Sequence, residues 1–216
     1  MSVVVAIKKD GVVYLGADSQ VTRGGTRTSL SNPNNYKIWK VKNVDNCLMG
    51  HVGVLRDACV VRIIDNLVRE IDVLHDSVDF EYVVSRIVPM IIGQLQEYNY
   101  LAEDEVFKST DSKYLFAYND KLFVIGFNGD VIEVDDCVAI GSGESEAIGS
   151  LITTMNEDNP TKRIIMAIKA SAAHDIYVDY PIVLSSTADT EFKVIDEKNI
   201  NNYLNGQSVS EILDIN

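Results

Sequence analysis

Ser2 is the residue whose chemistry draws attention first, because it follows Met1 directly and opens a run of apolar residues. Removal of the methionine would leave Ser2 with a free α-amine and a hydroxyl group on one residue. An α-amine has an unperturbed pKa of about 7.7–8.0, and such an amine can activate a hydroxyl nucleophile. Ser2 is therefore a candidate nucleophile with its own base, although Met-Ser is also a common way for a protein to begin.

Hydrolysis of an amide also needs an oxyanion site and groups that tune pKa values. Lys37 can lower the cost of a developing alkoxide, and a carboxylate such as Asp18 can hold that lysine in its charged form. Backbone N–H groups in the segment Gly50-His51-Val52-Gly53, expected as a tight turn, can donate to an oxyanion. Each residue also has a purely structural interpretation: Asp18 can cap a turn, Lys37 can be a solvated lysine of an edge strand, and Gly53 can lead into a helix.

A β-hairpin must position the first of these residues. Val3–Lys8 is rich in β-branched residues, Asp10-Gly11 is a strong signal for a two-residue turn, and Val12–Ala17 returns as a second strand. Ser2 and Asp18 are therefore predicted to lie at the same end of one hairpin.

Strands and helices alternate in groups along the rest of the chain. The stretch 24–35 is expected to be a loop or an irregular strand, and one helical turn is expected at 209–213. The further predicted strands are Tyr36–Val41, Cys47–Val52, Tyr114–Tyr118, Lys121–Phe127, Asp130–Glu133, Cys137–Ile140, Tyr180–Ser185 and Glu191–Ile195.

Apolar residues at helical spacing predict four helices. One long helix runs through Val60–Leu74, and a second runs through Phe80–Tyr98 after Ser77 or Asp79 as N-cap, where Pro89 should kink or divide it. The other two are Glu144–Met155 and a helix from the cap pair Asn159-Pro160 to about His174. We expect one domain over residues 1–216, of the α+β class, arranged as a four-layer αββα sandwich.

Composition excludes several classes of function. The 216 residues carry a net charge of −13, which argues against a nucleic-acid partner. The chain has no apolar run of about 18 residues and no signal peptide, so we expect a cytoplasmic protein without a membrane partner. Cys47, Cys59 and Cys137 are widely spaced without a CxxC motif, which suits free thiols in a reducing compartment. We expect no metal site and no cofactor.

Residues 2–22 read SVVVAIKKDGVVYLGADSQVT, which resembles the opening of proteasome β subunits and of the bacterial HslV-type peptidase. In that family an N-terminal threonine nucleophile begins the first strand, and an aspartate follows the second strand. The resemblance implies that Ser2 takes the position of the nucleophile and Asp18 that of the aspartate. YKIWKV is similar to the strand that carries the family's lysine, here Lys37.

Three later segments are also similar to this family. GHVGVLRDA resembles its glycine-rich segment, which implies Gly53 as the oxyanion donor and Asp57 as the aspartate behind it. CVAIGSGESEA implies Ser142 as a supporting serine, and AIKASAAHDIYVDYP implies Asp175 as a second supporting aspartate. The family also has a side chain at the bottom of its substrate pocket at the position of His51, with Val21 nearby.

The sequence departs from the family pattern at several positions. The nucleophile is serine rather than the usual threonine, and the loop before Lys37 is a few residues longer. Val54 stands where a second glycine is often found, and Val178 stands where a supporting serine is often found. Maturation is expected to require only removal of Met1.

The resemblance implies a proteasome-type endopeptidase that hydrolyses peptides or unfolded proteins inside a homo-oligomeric ring, with an ATPase as a possible partner. Two alternatives remain open at this point. The chain can be a catalytically silent assembly or scaffold protein of the same fold, or an amidase that uses the same nucleophile on a small molecule. Ser2→Ala with full peptidase activity would contradict the first interpretation.

Overall fold

Two five-stranded sheets form the centre of the computed structural model, which describes residues 2–98 and 110–205. The first sheet has the strand order β10-β1-β2-β11-β12, and the second has the order β5-β6-β7-β8-β9. Neighbouring strands in both sheets pair antiparallel. Strands β3 and β4 pair with each other as a separate ribbon.

The strands in the described part of the chain are β1 Val3–Lys9, β2 Val12–Ala17, β3 Gln20–Arg23, β4 Thr26–Ser29, β5 Ile38–Lys40, β6 Cys47–Val52, β7 Lys113–Tyr118, β8 Lys121–Ile125, β9 Val131–Glu133, β10 Cys137–Gly141, β11 Ile182–Ser186 and β12 Lys193–Ile195. The α-helices there are α1 Leu55–Ile63, α2 Glu70–Leu74, α3 Phe80–Tyr82, α4 Val88–Glu97, α5 Glu144–Thr153, α6 Pro160–His174 and α7 Ile200–Leu204. Short 3₁₀ turns span Pro33–Asn35 and Glu197–Asn199, and a π turn spans Val83–Ile87.

The β1–β2 hairpin forms as its sequence predicts. Asp10 and Gly11 have φ angles of 51° and 76°, which the two-residue turn between right-twisted strands requires. The register places Val4 opposite Ala17. Ser2 and Asp18 therefore lie at the same end of the hairpin, which confirms the prediction.

Three clusters of buried apolar side chains separate four layers. One cluster fills the space between the two sheets and includes Val4, Leu15 and Leu48. A second cluster lies between the first sheet and helices α5 and α6, and a third covers the other face of the second sheet with α1, α3 and α4. The predicted α+β class with a four-layer αββα sandwich is confirmed.

The first long helix of the prediction is wrong, because the chain breaks after Ile63. Ile64 is extended at a ψ angle of 120°, and Asn66 has a φ angle of 55° that an α-helix does not allow. Leu67 is buried in the same cluster as α1 although it lies in an irregular segment. Leu67 therefore has the spacing of a helical residue, but an irregular connection between α1 and α2 buries it.

The second long helix is continuous but irregular. Asp79 is its N-cap and accepts a hydrogen bond from the N–H of Tyr82 at 2.9 Å. A π turn precedes α4, in which Pro89 occupies the first turn. Proline has no N–H for an intrahelical hydrogen bond, so the predicted irregularity at Pro89 is confirmed.

Two other predictions concern less regular parts of the chain. The stretch 24–35, expected to be a loop or an irregular strand, contains the short strand β4. The glycine pair Gly24-Gly25 forms the tight turn between β3 and β4, with φ angles of 51° and 81°. The helical turn predicted at 209–213 lies outside the described residues.

Within the described part of the chain, no helix is both long enough and apolar enough to cross a membrane.

Candidate active site

Ser2 lies at the start of β1, where a turn from β10 holds its main chain. The N–H of Ser2 donates to Oγ of Ser142 at 3.0 Å, and the N–H of Gly143 approaches the carbonyl oxygen of Ser2 at 3.4 Å. Only 5% of Ser2 is exposed to solvent. The turn needs glycine at position 141, because its φ angle is +115° and a Cβ atom there would overlap the carbonyl oxygen of Ser2.

Asp18 and Lys37 form a buried ion pair beside this strand end. The ammonium group of Lys37 donates to both carboxylate oxygens of Asp18, at 2.8 and 2.7 Å. The N–H groups of Val3 and Gln20 donate to the same carboxylate at 2.9 and 3.0 Å. Because every one of these bonds is donated by nitrogen, the ionised form of Asp18 fits the arrangement.

The electrostatics of this pair reflect burial and mutual attraction. Burial lowers the pKa of Lys37, and the charge of Asp18 opposes that change. Burial also raises the pKa of Asp18, and Lys37 opposes that change in turn. Lys37 precedes β5, and its carbonyl oxygen accepts from the N–H of His51 at 2.9 Å. This bond connects the lysine to β6.

Gly53 directly follows strand β6 and lines the same cleft as Ser2 and Lys37. The segment from Gly50 to Val52 belongs to strand β6 and is not the tight turn that the sequence suggested. The change of direction occurs at Gly53, where φ is +126° and a Cβ atom would collide with Asp111 and Ser112. Helix α1 begins two residues later, so the main chain at Gly53 is exposed between a strand and a helix.

Ser112 is the centre of a buried hydrogen-bond network next to Gly53. No motif in the sequence indicated this network. The hydroxyl group of Ser112 donates to Asp57 at 2.7 Å and accepts from the N–H of Val54 at 3.2 Å. Nε2 of His51 lies 3.0 Å from the same oxygen. Since the single proton of Ser112 goes to the carboxylate, Nε2 of His51 carries a proton and donates. Burial is the main reason that the pKa of His51 is lowered to about 3, so its ring is neutral at neutral pH.

Asp175 is the residue that directly follows helix α6 and caps its C-terminal end. Its Oδ1 atom accepts from the N–H of Tyr177 at 2.8 Å, and its Oδ2 atom is buried without a hydrogen-bond partner in the described structure. The negative charge of Asp175 opposes the lowering of the pKa of Lys37, which places the two groups within electrostatic range. Val178 is buried in the core between the sheet and the helices.

A cleft of about 270 Å³ is lined by strand β3 and by the segment that leads from β6 into helix α1. It brings together five of the residues that the sequence singled out, namely Ser2, Val21, Lys37, His51 and Gly53. Asp18, Asp57, Ser142 and Asp175 lie outside its lining. The residues that sequence reasoning missed in the lining are Gln20, Thr22, Arg23, Val54, Leu55 and Arg56.

The described residues contain no group of three or more histidine, cysteine, aspartate or glutamate side chains that would hold a metal ion. The arrangement offers instead a serine at a strand end, a buried ammonium group and exposed backbone at a glycine. These are the parts that nucleophilic attack on a carbonyl requires.

Comparison with known proteins gives concordant results. The profile of the family described as "Proteasome subunit" matches residues 2–179. The ATP-dependent protease subunit HslV of Treponema denticola is 29% identical over 163 residues, which cover 75% of this chain and 82% of that protein.

Two solved structures have the same fold. Thiobacillus denitrificans BPH in complex with epoxomicin superposes with a TM-score of 0.64 at 20% identity, covering 88% of this chain and 99% of that one. Anbu (ancestral beta-subunit) from Yersinia bercovieri superposes with a TM-score of 0.67 at 12% identity, covering 94% of this chain and 92% of that one.

Proposed function

This chain belongs to the proteasome subunit family of N-terminal-nucleophile peptidases, and from that premise we propose that it is an endopeptidase whose nucleophile is the hydroxyl group of Ser2. Removal of Met1 would convert the backbone N–H of Ser2 into the α-amine that serves as the base. The observation that carries the proposal is that Ser2, Lys37 and Gly53 line one cleft. The nitrogen of Ser2 also donates a hydrogen bond to Oγ of Ser142.

In the proposed reaction, Oγ of Ser2 attacks the carbonyl carbon of the scissile peptide bond while its proton passes to the α-amine, directly or through water. The negative oxygen of the tetrahedral intermediate accepts a hydrogen bond from the N–H of Gly53. The amine then returns the proton to the leaving nitrogen, and the C–N bond breaks. Water hydrolyses the resulting ester and regenerates the free serine.

The surrounding groups have distinct roles in this proposal. The ammonium group of Lys37, held by Asp18, stabilises negative charge as it develops on Oγ of Ser2. Oγ of Ser142, now 3.0 Å from the nitrogen of Ser2, orients the amine. Asp175, with a buried oxygen that has no partner in the described residues, holds the amine or the water.

Strand β3 supports binding of an extended peptide. In the described structure β3 pairs only with β4, so its other edge has unpaired backbone groups. All four residues of β3, Gln20–Arg23, line the cleft. A peptide that adds to this edge would place alternate side chains toward the cleft. Val21 and His51 would then contact one of those side chains.

The family relationship also supports an assembly. We propose a homo-oligomeric ring in the cytoplasm that degrades peptides or unfolded proteins, because the relatives are named subunits of a protease. Those names include the words "ATP-dependent", which supports an ATPase as the partner that delivers substrate.

Mass spectrometry after treatment with a peptide vinyl sulfone or with epoxomicin tests the nucleophile. We expect one adduct on Ser2 in protein that lacks Met1, together with hydrolysis of fluorogenic peptides that Ser2→Ala abolishes. Ser145→Ala is the matched control, since Ser145 lies on the exposed part of α5 and outside the cleft.

Full activity of Ser2→Ala would refute the proposed nucleophile. Protein that retains Met1 and takes up no reagent would favour the silent assembly protein. Turnover of small amides without cleavage of any peptide would favour the amidase.

A further inference from the structure

We propose that Ser112 is a positioning residue of this site, whose hydroxyl group holds the main chain at Gly53 for the reaction. This inference rests on the proposed function, in which the N–H of Gly53 donates to the negative oxygen of the tetrahedral intermediate. Glycine has more backbone freedom than any other residue, and the φ angle of Gly53 is +126°. A donor on such a residue needs support from its neighbours to keep one direction during the reaction.

The pairing of β6 with β7 places Ser112 opposite Gly53. Val52, the last residue of β6, pairs with Lys113, the first residue of β7. Because the strands are antiparallel, the residue after Val52 meets the residue before Lys113. Ser112 is 0% exposed, and its Oγ atom would lie only 2.7 Å from a Cβ atom at Gly53. The two main chains are therefore in close contact, without space for a side chain at Gly53.

The hydroxyl group of Ser112 contacts the chain on both sides of Gly53. It accepts from the N–H of Val54, one residue after the glycine, at 3.2 Å. It also lies 3.0 Å from Nε2 of His51, two residues before the glycine. The N–H of His51 is held in turn by the carbonyl oxygen of Lys37 at 2.9 Å. Gly53 therefore lies between two residues that the same oxygen atom contacts.

Asp57 and Thr110 fix the direction of this hydroxyl group and the main chain that carries it. The O–H of Ser112 donates to Oδ2 of Asp57 at 2.7 Å, and the hydroxyl group of Thr110 donates to the carbonyl oxygen of Ser112 at 2.8 Å. A serine hydroxyl has one proton and two lone pairs. The proton goes to Asp57, and the lone pairs serve Val54 and His51. Loss of this one oxygen atom would therefore leave three polar groups without their partner.

Steady-state hydrolysis by Ser112→Ala tests this inference, because alanine removes the hydroxyl group and adds no volume. We expect kcat per reactive subunit to fall about 10- to 100-fold while KM changes by less than about 3-fold. The reason is that the N–H of Gly53 acts in the transition state rather than in substrate binding. Titration of Ser2 to completion with epoxomicin counts the reactive subunits, so partial unfolding does not alter kcat. An unchanged kcat in the titrated variant would overturn the inference.

Ser185→Ala is the matched control. Ser185 is also a buried serine, and its hydroxyl group has no hydrogen-bond partner among the residues that the structure describes. It lies in β11 and outside the cleft lining. Its replacement should therefore leave both kcat and KM unchanged.

A second pair of variants keeps the inference testable if Ser112→Ala does not fold. Asp57→Ala removes the acceptor that directs the hydroxyl group, and it should lower kcat about 3- to 10-fold, in the range of one hydrogen bond. Asp57→Asn keeps an acceptor oxygen for Ser112 and should recover most of that loss. Equal kcat values for the two variants would contradict a role for the directed hydroxyl group.

Amide hydrogen exchange separates this inference from the proposed function, because it needs no reaction at Ser2. The N–H of Val54 should exchange about 10-fold faster in Ser112→Ala than in the wild-type chain and in Ser185→Ala, since its bond to Oγ is lost. If the wild-type chain cleaves no peptide and takes up no reagent, the proposed function fails and exchange alone decides the inference. Faster exchange at Val54 then supports it, and equal exchange overturns it.

Discussion

Asp18 and Lys37 show how the site depends on individual buried residues. Their side chains are 0% and 5% exposed, so neither charge can be solvated if the other is lost. Lys37 lines the same cleft as Ser2, and in the proposed reaction its positive charge stabilises the developing charge on Oγ of Ser2. The proposal therefore assigns a structural and a chemical role to the same two residues.

Lys37→Met is expected to lower the free energy of unfolding by about 3–5 kcal/mol, because it leaves the carboxylate of Asp18 buried without a counter-ion. Denaturant unfolding at neutral pH measures this change. Lys40→Met is the matched control three residues further along the chain, at the end of β5, where the pair with Asp45 is largely exposed. It should cost at most about 1 kcal/mol. Equal stability of the two variants would contradict the importance of the buried pair.

His51 should make stability depend on pH in a specific direction. Its pKa is about 3 in the folded protein and about 6.5 when unfolded, so between these values the unfolded chain binds the extra proton. Stability contributed by the neutral ring is therefore present above pH 6.5 and is lost as the pH falls. From pH 7 to pH 5 we expect a loss of about 2 kcal/mol from this residue.

Urea unfolding of wild type and His51→Gln at both pH values isolates that contribution. Glutamine retains an N–H donor for Ser112 and cannot titrate. The variant should lose about 2 kcal/mol less than the wild type on acidification, since other groups titrate equally in both. An identical pH dependence in the two proteins would show that folding does not lower the pKa of His51.

At the scale of elements, the turn from β10 to α5 fixes where β1 begins. Gly141 pairs with Val3 across the two strands, and Ser142 and Gly143 both contact the main chain of Ser2. Gly143 in turn packs against Ser171 of α6. A strand, a turn and a helix thus position the candidate nucleophile together.

Gly141→Ala is expected to lower the free energy of unfolding by about 2–5 kcal/mol, from a positive φ angle and from overlap with Ser2. The reaction of Ser2 with a vinyl sulfone should slow in parallel. Gly149→Ala in α5 serves as the control, because an added Cβ atom there meets nothing within 4 Å. It should raise stability by about 0.5–1 kcal/mol. If Gly141→Ala behaves like this control, the turn does not constrain Ser2.

At the scale of the whole molecule, the sandwich leaves large apolar side chains exposed at several places. Leu74 is 73% exposed, Met155 is 67% exposed and Ile152 is 60% exposed. Single exposed apolar residues are common, so they do not define an interface by themselves. They are nevertheless compatible with the subunit contacts that the proposed ring requires.

Light scattering coupled to size exclusion should give a mass of many times the 24.0 kDa of one chain, because the proposed function places the site inside a closed ring. Native mass spectrometry would then count the subunits. A monomeric mass at the concentration used for activity measurements would contradict the ring, and peptide hydrolysis by that monomer would separate activity from assembly.

The sequence by itself determined the features that depend on neighbouring residues. The bounds of β2 and β6 match the prediction, and α6 begins after the cap Asn159 and ends at His174 as expected. The Gly24-Gly25 pair was also a local signal, but the polar composition of the stretch indicated only a loop or an irregular strand and not the β3–β4 hairpin. Turns and caps are short-range interactions, so their residue types are visible in the sequence.

Only the tertiary structure decided which distant side chains meet. Lys37 donates to Asp18 across 19 residues, His51 reaches Ser112 across 61 residues, and the nitrogen of Ser2 reaches Ser142 across 140 residues. No periodicity encodes such pairs, because they depend on how two sheets and their helices pack. The break after Ile63 has the same origin, since burial of Leu67 outweighed its helical spacing.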